Sequence, residues 1–337
     1  MSQGGGKPVD LWHTVGWTPL IRLHHLSELT GCTILGKAEF LNPGGSVKDR
    51  AAKGIIDAAE RDGRLQPGGT IVEGTAGNTG IGLTTLANRR GYRTIIVIPD
   101  NQSREKIETL RALGADVRVV PSVGFANPEN YYHQARRIAE ETPGGFWADQ
   151  FNNTANAQYH YETTGPEIWE QTGGRIDAAV MAAGTGGTIS GISRALKERQ
   201  ETIRVVLADP MGSALYSYIK TGELDSAGDS ITEGIGIGRI TANFALARVD
   251  DAWQVDDHQM IEMAFFLARH EGLLLGSSSA LNCFAAARYA RQLGPGHTIV
   301  TILCDGGQRY LSNLYNQTWL AEQDLHPQDR LPAMLKG

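Results

Sequence analysis

Residues 70–99 read TIVEGTAGNTGIGLTTLANRRGYRTIIVIP. A short β-branched run ends in a Gly-rich turn, a helical pattern begins near Asn78, and a second β-branched run starts at Thr94. Both runs are apolar at consecutive positions, as expected for strands covered on both faces in a parallel sheet. The unit recurs outward along the chain. Further runs are DVRVVP from 116, DAAVMAA from 177, IRVVLAD from 203 and TIVTILCD from 298, and helical patterns begin near Val47, Ser103, Pro128, Ala157, Thr188, Asp256 and Ser278. This βαβα alternation predicts an α/β fold of open, mostly parallel sheet covered by helices. The least regular stretch, Lys220 to Asn243, is rich in Gly, Ser, Asp and Thr. A connection that long is expected to form a lid or a wall of the functional site.

Composition narrows the classes of function. The 337 residues are 41% hydrophobic and 20% charged, with a formal charge of -6. At ~150 residues per domain this suggests about two domains. There is no basic field to hold a nucleic-acid backbone. No apolar run approaches the ~20 residues of a membrane helix, and the opening MSQGGGKPVDLW lacks the apolar centre of a signal peptide. Cys32, Cys283 and Cys304 form no C-x-x-C pair. An odd, scattered set of thiols is expected in a reducing compartment, hence in the cytoplasm. The nine histidines show no metal-binding spacing.

Ligands of open α/β sheets sit outside the carboxyl ends of the strands. Gly-rich turns fall there: LNPGGS at 41–46, GTAGNTG at 74–80, GTGGT at 184–188 and CDGG at 304–307. After the first, Ser46 is placed to cap a helix from Val47 to near Gly63. Lys48 then shares a stripe with Ala52, Ile55 and Ala59. The helix dipole and burial both disfavour its ammonium form, leaving the free amine that a Schiff base requires. A lysine snorkelling from the helix edge is the competing reading. The remaining seven of the eight lysines are less suggestive, Lys7 and Lys336 lying in the tails.

GTGGT opens a helix and offers free backbone N–H groups and two hydroxyls to a phosphate, or else is only a tight turn. Ile189 stands where a dinucleotide fingerprint needs glycine. GTAGNTG offers backbone N–H groups to a carboxylate and the Asn78 amide to an oxygen. GSSSA at 276–280 has Ala280 where a nucleophile elbow needs glycine, and is expected to be a capped helix start. A poised lysine, a phosphate cradle and a carboxylate-sized turn together describe a site for pyridoxal 5'-phosphate and an amino acid.

The set NPGGSVKDR, TAGNTGIGL, QFNNTAN, HYETTGPEIW, GTGGTISG, EGIG and RYL resembles, in order and spacing from Trp17 to Leu314, the cysteine synthase and cystathionine β-synthase family of fold type II pyridoxal-phosphate enzymes. The resemblance implies two open, mostly parallel sheets as in the tryptophan synthase β chain. It also implies an N-terminal domain over 1–155 that contains a mobile substrate-binding subdomain, a C-terminal domain over 156–320 and a tail over 321–337, with strands near 18–41 joining the other sheet. It implies that Lys48 forms the Schiff base and moves the Cα proton, and that Asn78 bonds the cofactor's phenolic oxygen. Gly184, Thr185, Gly186, Gly187 and Thr188 would hold the phosphate. Thr75, Ala76, Gly77, Thr79, Gln150 and Gly234 would meet the substrate.

The implied reaction is β-replacement through an aminoacrylate, O-activated serine plus sulfide giving L-cysteine. Alternatives are cysteine desulfhydrase, a cystathionine β-synthase-type core, or a non-catalytic protein that retains the fold. A homodimer, and a serine acetyltransferase as partner, are implied by the family alone. The chain departs from the pattern at Ala76, where a serine is usual. It departs again at Gly306, where a serine or threonine usually faces the pyridine nitrogen, and at Cys304, where proline is common.

Overall fold

The computed structural model describes residues 8–328 and 330–335; Lys7 and Lys336 lie outside them. Its ten strands are β1 (Leu20–Arg22), β2 (Thr33–Ala38), β3 (Thr70–Gly74), β4 (Arg93–Pro99), β5 (Asp116–Val120), β6 (Gly145–Trp147), β7 (Ala178–Ala182), β8 (Arg204–Pro210), β9 (Asp251–Val255) and β10 (Thr298–Leu303). They form a six-stranded sheet in the order β1-β2-β10-β7-β8-β9 and a four-stranded sheet in the order β5-β4-β3-β6. Every pairing is parallel except β1 with β2. The expected α/β class of two open, mostly parallel sheets is therefore what the chain adopts. β1 and β2, although N-terminal, belong to the larger sheet.

Alternate residues of each strand serve opposite faces, which is why the runs read as continuously apolar. Val180, Val206 and Ile299 pack into the core on one side of the six-stranded sheet, while Ala179, Val205 and Val300 pack into the core on the other. In the smaller sheet Val72 and Val97 face one core, and Ile71 and Ile96 face others. All of these side chains are fully buried. At ~1.5–3 kcal/mol for each buried Val or Ile, this stiffens the strands whose carboxyl ends carry the site.

Sequence patterning did not resolve β6, β9 or the seven-residue helices His24–Thr30 and Leu215–Thr221. β6 is too short for a period to show, and β9 is a half-exposed edge strand whose partly buried positions break alternation. The helix expected from Pro128 begins at Tyr131, because Asn130 caps it by accepting from the Tyr132 amide. Among the described residues no helix is long and apolar enough to cross a membrane.

Candidate active site

The turn before Lys48 is tied to the end of β10. The Val47 amide donates to the Cys304 carbonyl at 2.8 Å, and Ser46 pairs with Asp305 in an isolated antiparallel bridge. The helix starts one residue later than expected, with Val47 rather than Ser46 at its N-cap, and the Ser46 hydroxyl accepts from the Lys48 amide at 3.2 Å from just outside it. The helix runs from Lys48 to Arg61, and Ala52, Ile55 and Ala59 on the stripe below Lys48 are fully buried. One turn edge is fixed by a buried ionic cluster. Arg50 spans Glu39 and Glu167 with bonds of 2.7–2.8 Å, Lys37 adds a 2.7 Å pair to Glu167, and Thr18 donates to Glu39 at 2.6 Å. Burial alone would raise the Glu39 pKa, but Arg50, Thr18 and Lys37 together hold it down at about 2.

Lys48 is partly buried and lines a cavity of about 350 Å³ between the two sheets. That volume suits a small molecule. Burial lowers the Lys48 pKa and nearby Lys106 lowers it further, against the opposing fields of Cys304 and Asp305. The expected poise toward a free amine is thus present, with burial as its main cause.

A narrower recess below Lys48 is lined by Gly184, Thr185, Gly186, Thr188, Asn282 and Cys304, among others, and by no carboxylate. Its floor is the turn after β7 and the first turn of the Gly187–Arg199 helix, whose N-terminal amides have no intrahelical acceptor. The glycines are required here. Gly186 has φ +84°, and a Cβ on it would lie 2.6 Å from the Phe244 backbone. A Cβ on Gly184 would lie 2.3 Å from the Gly234 carbonyl oxygen. Thr185 Oγ1 accepts from the Gly187 amide at 3.3 Å and from Asn156 Nδ2 at 3.0 Å, so it braces the cradle from behind. Thr188 Oγ1 meets His160 Nε2 at 3.2 Å. Burial, then Arg50, push His160 down to about 3, so it is neutral there. Free amides, two hydroxyls and the absence of any lining acid fit a phosphate. With Lys48 and Asn78 at its mouth, the donor set fits pyridoxal 5'-phosphate.

Asn78 opens the Asn78–Arg90 helix after β3. Its Oδ1 accepts from Arg309 and its Nδ2 donates to Asp305 at 2.6 Å, leaving one N–H for an oxygen in the cavity. Thr75, Ala76 and Thr79 line the same cavity with Gln150 and Gly234. Thr79 donates to Gln150 Oε1 at 2.5 Å, Gln150 Nε2 donates to the Gly74 carbonyl at 3.1 Å, and Thr75 Oγ1 accepts from the Gly77 amide at 3.0 Å. Gly77, at φ +125°, supports the turn without lining the cavity: a Cβ there would lie 2.6 Å from the Lys106 stem. Gly187 likewise stands behind the cradle.

Gly306 is not among the lining residues. It pairs with Leu275 in an isolated bridge and packs on the Gln308 side chain. Ser278 and Cys304 line the cavity on that side instead. The GSSSA segment does start a helix, Ser277–Leu293, but Gly276 is its N-cap and no serine side chain caps it. This corrects the reading of GSSSA as a capped start: Ser278 is turned to the cavity, leaving the amides to other partners. Burial pushes the Cys304 thiol up to about 11, so it stays neutral beside Lys48.

Sequence reading missed several lining residues. Lys106, which no sequence motif marks, is buried, pairs with Glu233 at 2.7 Å and lies 4.3 Å from the centre of the Tyr310 ring. Phe125, Tyr131, Tyr132, Phe151 and Arg239 complete the outer wall. No local motif marks them, because they come from three separate segments. The irregular Lys220–Asn243 stretch did give a signal, and residues 232–239 of it do form one wall.

Comparison with known proteins bears on the same residues. A model of the family described as "Pyridoxal-phosphate dependent enzyme" matches residues 11–305. The chain is 52% identical over 330 residues to cysteine synthase 1 of Neurospora crassa, covering 96% of this chain and 88% of that one. Among solved structures, the O-acetylserine dependent cystathionine β-synthase of Helicobacter pylori superposes with a TM-score of 0.83 at 33% identity, covering 91% of this chain and 98% of that one. A hydrogen sulfide-producing enzyme of Fusobacterium nucleatum gives the same TM-score at 32% identity, covering 90% and 100%. Likeness of this breadth, in sequence and in the arrangement of both sheets, means that the chain belongs to the cysteine synthase and cystathionine β-synthase family of pyridoxal-phosphate dependent enzymes.

Proposed function

We propose that this chain is a cysteine synthase, replacing the β-substituent of an O-activated serine with sulfide to give L-cysteine. The observation that carries the reading is one cavity in which Lys48, the Gly184–Thr188 cradle and the Thr75–Thr79 turn with Gln150 converge. The 52% identity to a cysteine synthase over 96% of the chain supports the same activity.

Bound pyridoxal 5'-phosphate would supply the electron sink that acidifies the Cα proton. Each residue then has a defined task. Lys48 Nζ, kept toward its neutral form by burial, carries the cofactor and holds the Cα proton after its transfer. The backbone amides at the start of the Gly187–Arg199 helix anchor the phosphate. Asn78, held by Asp305 and Arg309, points its remaining N–H at the cofactor ring oxygen. Thr75, Ala76, Thr79 and Gln150 take the substrate carboxylate, with Gly234 opposite them. Glu233 pairs with Lys106 and accepts from Asn313 at 2.8 Å, tying the irregular wall across the opening and keeping water from competing with sulfide. We assign Gly306 a supporting role behind Ser278 and Cys304.

Cytoplasmic placement rests on the three free cysteines, which suit a reducing compartment. A homodimer, and a serine acetyltransferase as partner, rest on the family alone. The test is product formation from O-acetylserine, O-phosphoserine, serine and cysteine, each with and without sulfide and homocysteine. Cysteine from an O-activated serine plus sulfide is expected. Sulfide and pyruvate from cysteine alone as the main activity would replace the reading with a desulfhydrase, and cystathionine as the main product would replace it with a cystathionine β-synthase-type core.

A further inference from the structure

Among the residues lining the cavity, Lys48, Lys106 and Arg239 are the basic side chains and Glu233 is the carboxylate. Lys106 is neutralised by Glu233 at 2.7 Å. Lys48 serves the cofactor. Arg239 is left over.

Arg239 is half-buried on the outer wall and has no hydrogen-bond or ion-pair partner among the described residues. Its guanidinium lies 3.9 Å from the centre of the Phe125 ring, 4.9 Å from Phe151 and 5.3 Å from Tyr132. These rings pack on one another, Phe125 on Tyr132 at 5.4 Å and Tyr132 on Phe151 at 5.8 Å, so they hold the group in place. None of the three accepts a hydrogen bond from it, the Tyr132 hydroxyl being engaged by Asp149 and Asn152. The nearest acid to act on it, Asp149, accepts from Tyr132 Oη at 3.2 Å and from Asn152 Nδ2 at 3.3 Å and makes no ion pair with Arg239. Burial works against the Arg239 charge, and only the more distant fields of Tyr132, Tyr131 and Asp149 oppose that. A fork of five donors, oriented by aromatic rings and facing a cavity without a free acid, suits an oxyanion.

We propose that Arg239 binds a second anionic group, additional to the α-carboxylate of the amino acid, carried by one of the two reactants. The shared chemistry is an oxyanion such as phosphate or carboxylate. It reaches Arg239 either on the β-oxygen of the donor or at the far end of the incoming thiol. In the first case the Cβ–O bond breaks, its electron pair leaves on oxygen as phosphate, and sulfide forms the Cβ–S bond. In the second case acetate leaves from O-acetylserine and the thiolate of a mercapto acid forms the Cβ–S bond. Neither case changes an oxidation state. The proposal rests on the β-replacement reading above.

The test compares the holoenzyme with Arg239→Lys and Arg239→Gln in three arms: O-acetylserine with sulfide, O-phosphoserine with sulfide, and O-acetylserine with mercaptoacetate. Arg239→Gln is expected to lower kcat/KM about 10- to 100-fold in at least one anionic arm and no more than about 3-fold with O-acetylserine and sulfide, with Arg239→Lys between. The arm that falls identifies which reactant carries the anion. Equal losses in all arms would mean that Arg239 only props up the aromatic wall, and would overturn the proposal. So would equal kcat/KM for wild type and Arg239→Gln in both anionic arms. Calorimetric titration with O-phosphoserine against serine separates this proposal from the reading of the reaction. If no donor is turned over, the cysteine synthase reading fails. Tighter binding of O-phosphoserine than of serine, or measurable binding of mercaptoacetate, that Arg239→Gln abolishes would still support the anion subsite, and finding neither would refute it.

Discussion

Replacing Gly187 by alanine tests how the cradle is built, because its hydrogen atom faces a buried amide rather than the cavity. A Cβ at 187 would lie 2.1 Å from Asn156 Oδ1 and 2.4 Å from its Cγ. Asn156 is fully buried, and its Nδ2 donates to the Gln150 carbonyl and to Thr185 Oγ1, both at 3.0 Å. The amide has to move, and moving it breaks both bonds. Each buried polar group left unpaired costs ~1–3 kcal/mol, and alanine returns up to ~1 kcal/mol of helix propensity. The expected net loss is about 2–4 kcal/mol of stability. Displacing Asn156 also frees Thr185 and Gln150, so pyridoxal 5'-phosphate and substrate should both bind more weakly. Thr188→Val removes only one hydroxyl of the recess lining, and should cost ~0.5–1.5 kcal/mol of cofactor binding. Urea unfolding of the apoprotein and an absorbance titration with the cofactor measure the two effects. Gly187→Ala within 0.5 kcal/mol of wild type in stability, an allowance of about the size of an ordinary surface change, with unchanged cofactor affinity, would refute this account of the cradle.

Two further outcomes concern pH. Burial raises the Asp209 pKa to about 7, while its Oδ2 accepts from the Tyr216 amide at 2.8 Å and its Oδ1 has no partner. The folded state therefore binds more protons than the unfolded one between about pH 4 and pH 7, and stability should fall across that window as pH rises, by roughly 3–4 kcal/mol. Asp209→Asn should flatten the slope and stabilise the protein at pH 8; parallel pH curves from thermal unfolding would count against it. Glu39 behaves oppositely. Its carboxyl is held at about 2, so its contribution is present above about pH 4.5 and lost as pH falls toward 2, by about 3 kcal/mol. Glu39→Gln should cost ~3–5 kcal/mol at pH 7, because Arg50 stays buried with half its partners, and should shrink the acid-induced loss. An unchanged acid slope in urea titrations would show that the pair carries no such linkage.

What the sequence made legible depends on how local the signal is. Lys48, Asn78 and the Gly184–Thr188 turn each sit at a strand-to-helix junction, where period, glycine and cap residues coincide within a few positions. The core strands were legible because burial on both faces leaves an unbroken apolar run. Arg239 and Lys106 had no such mark. Their setting is made by Phe125, Tyr132, Phe151, Glu233 and Tyr310, and only the folded chain brings those residues together. Gly306 was placed toward the cofactor by alignment of CDGGQRYL alone; in the fold it pairs with Leu275, and Ser278 and Cys304 line the cavity on that side.

The central claim is that Lys48 carries pyridoxal 5'-phosphate in the cavity between the sheets. The direct measurement is borohydride reduction of the holoenzyme followed by peptide mapping of the labelled lysine. One label, on the peptide containing Lys48 and absent from Lys48→Ala, is the expected result; label on Lys106, the other lysine lining the cavity, or on no residue of this wall would contradict the account.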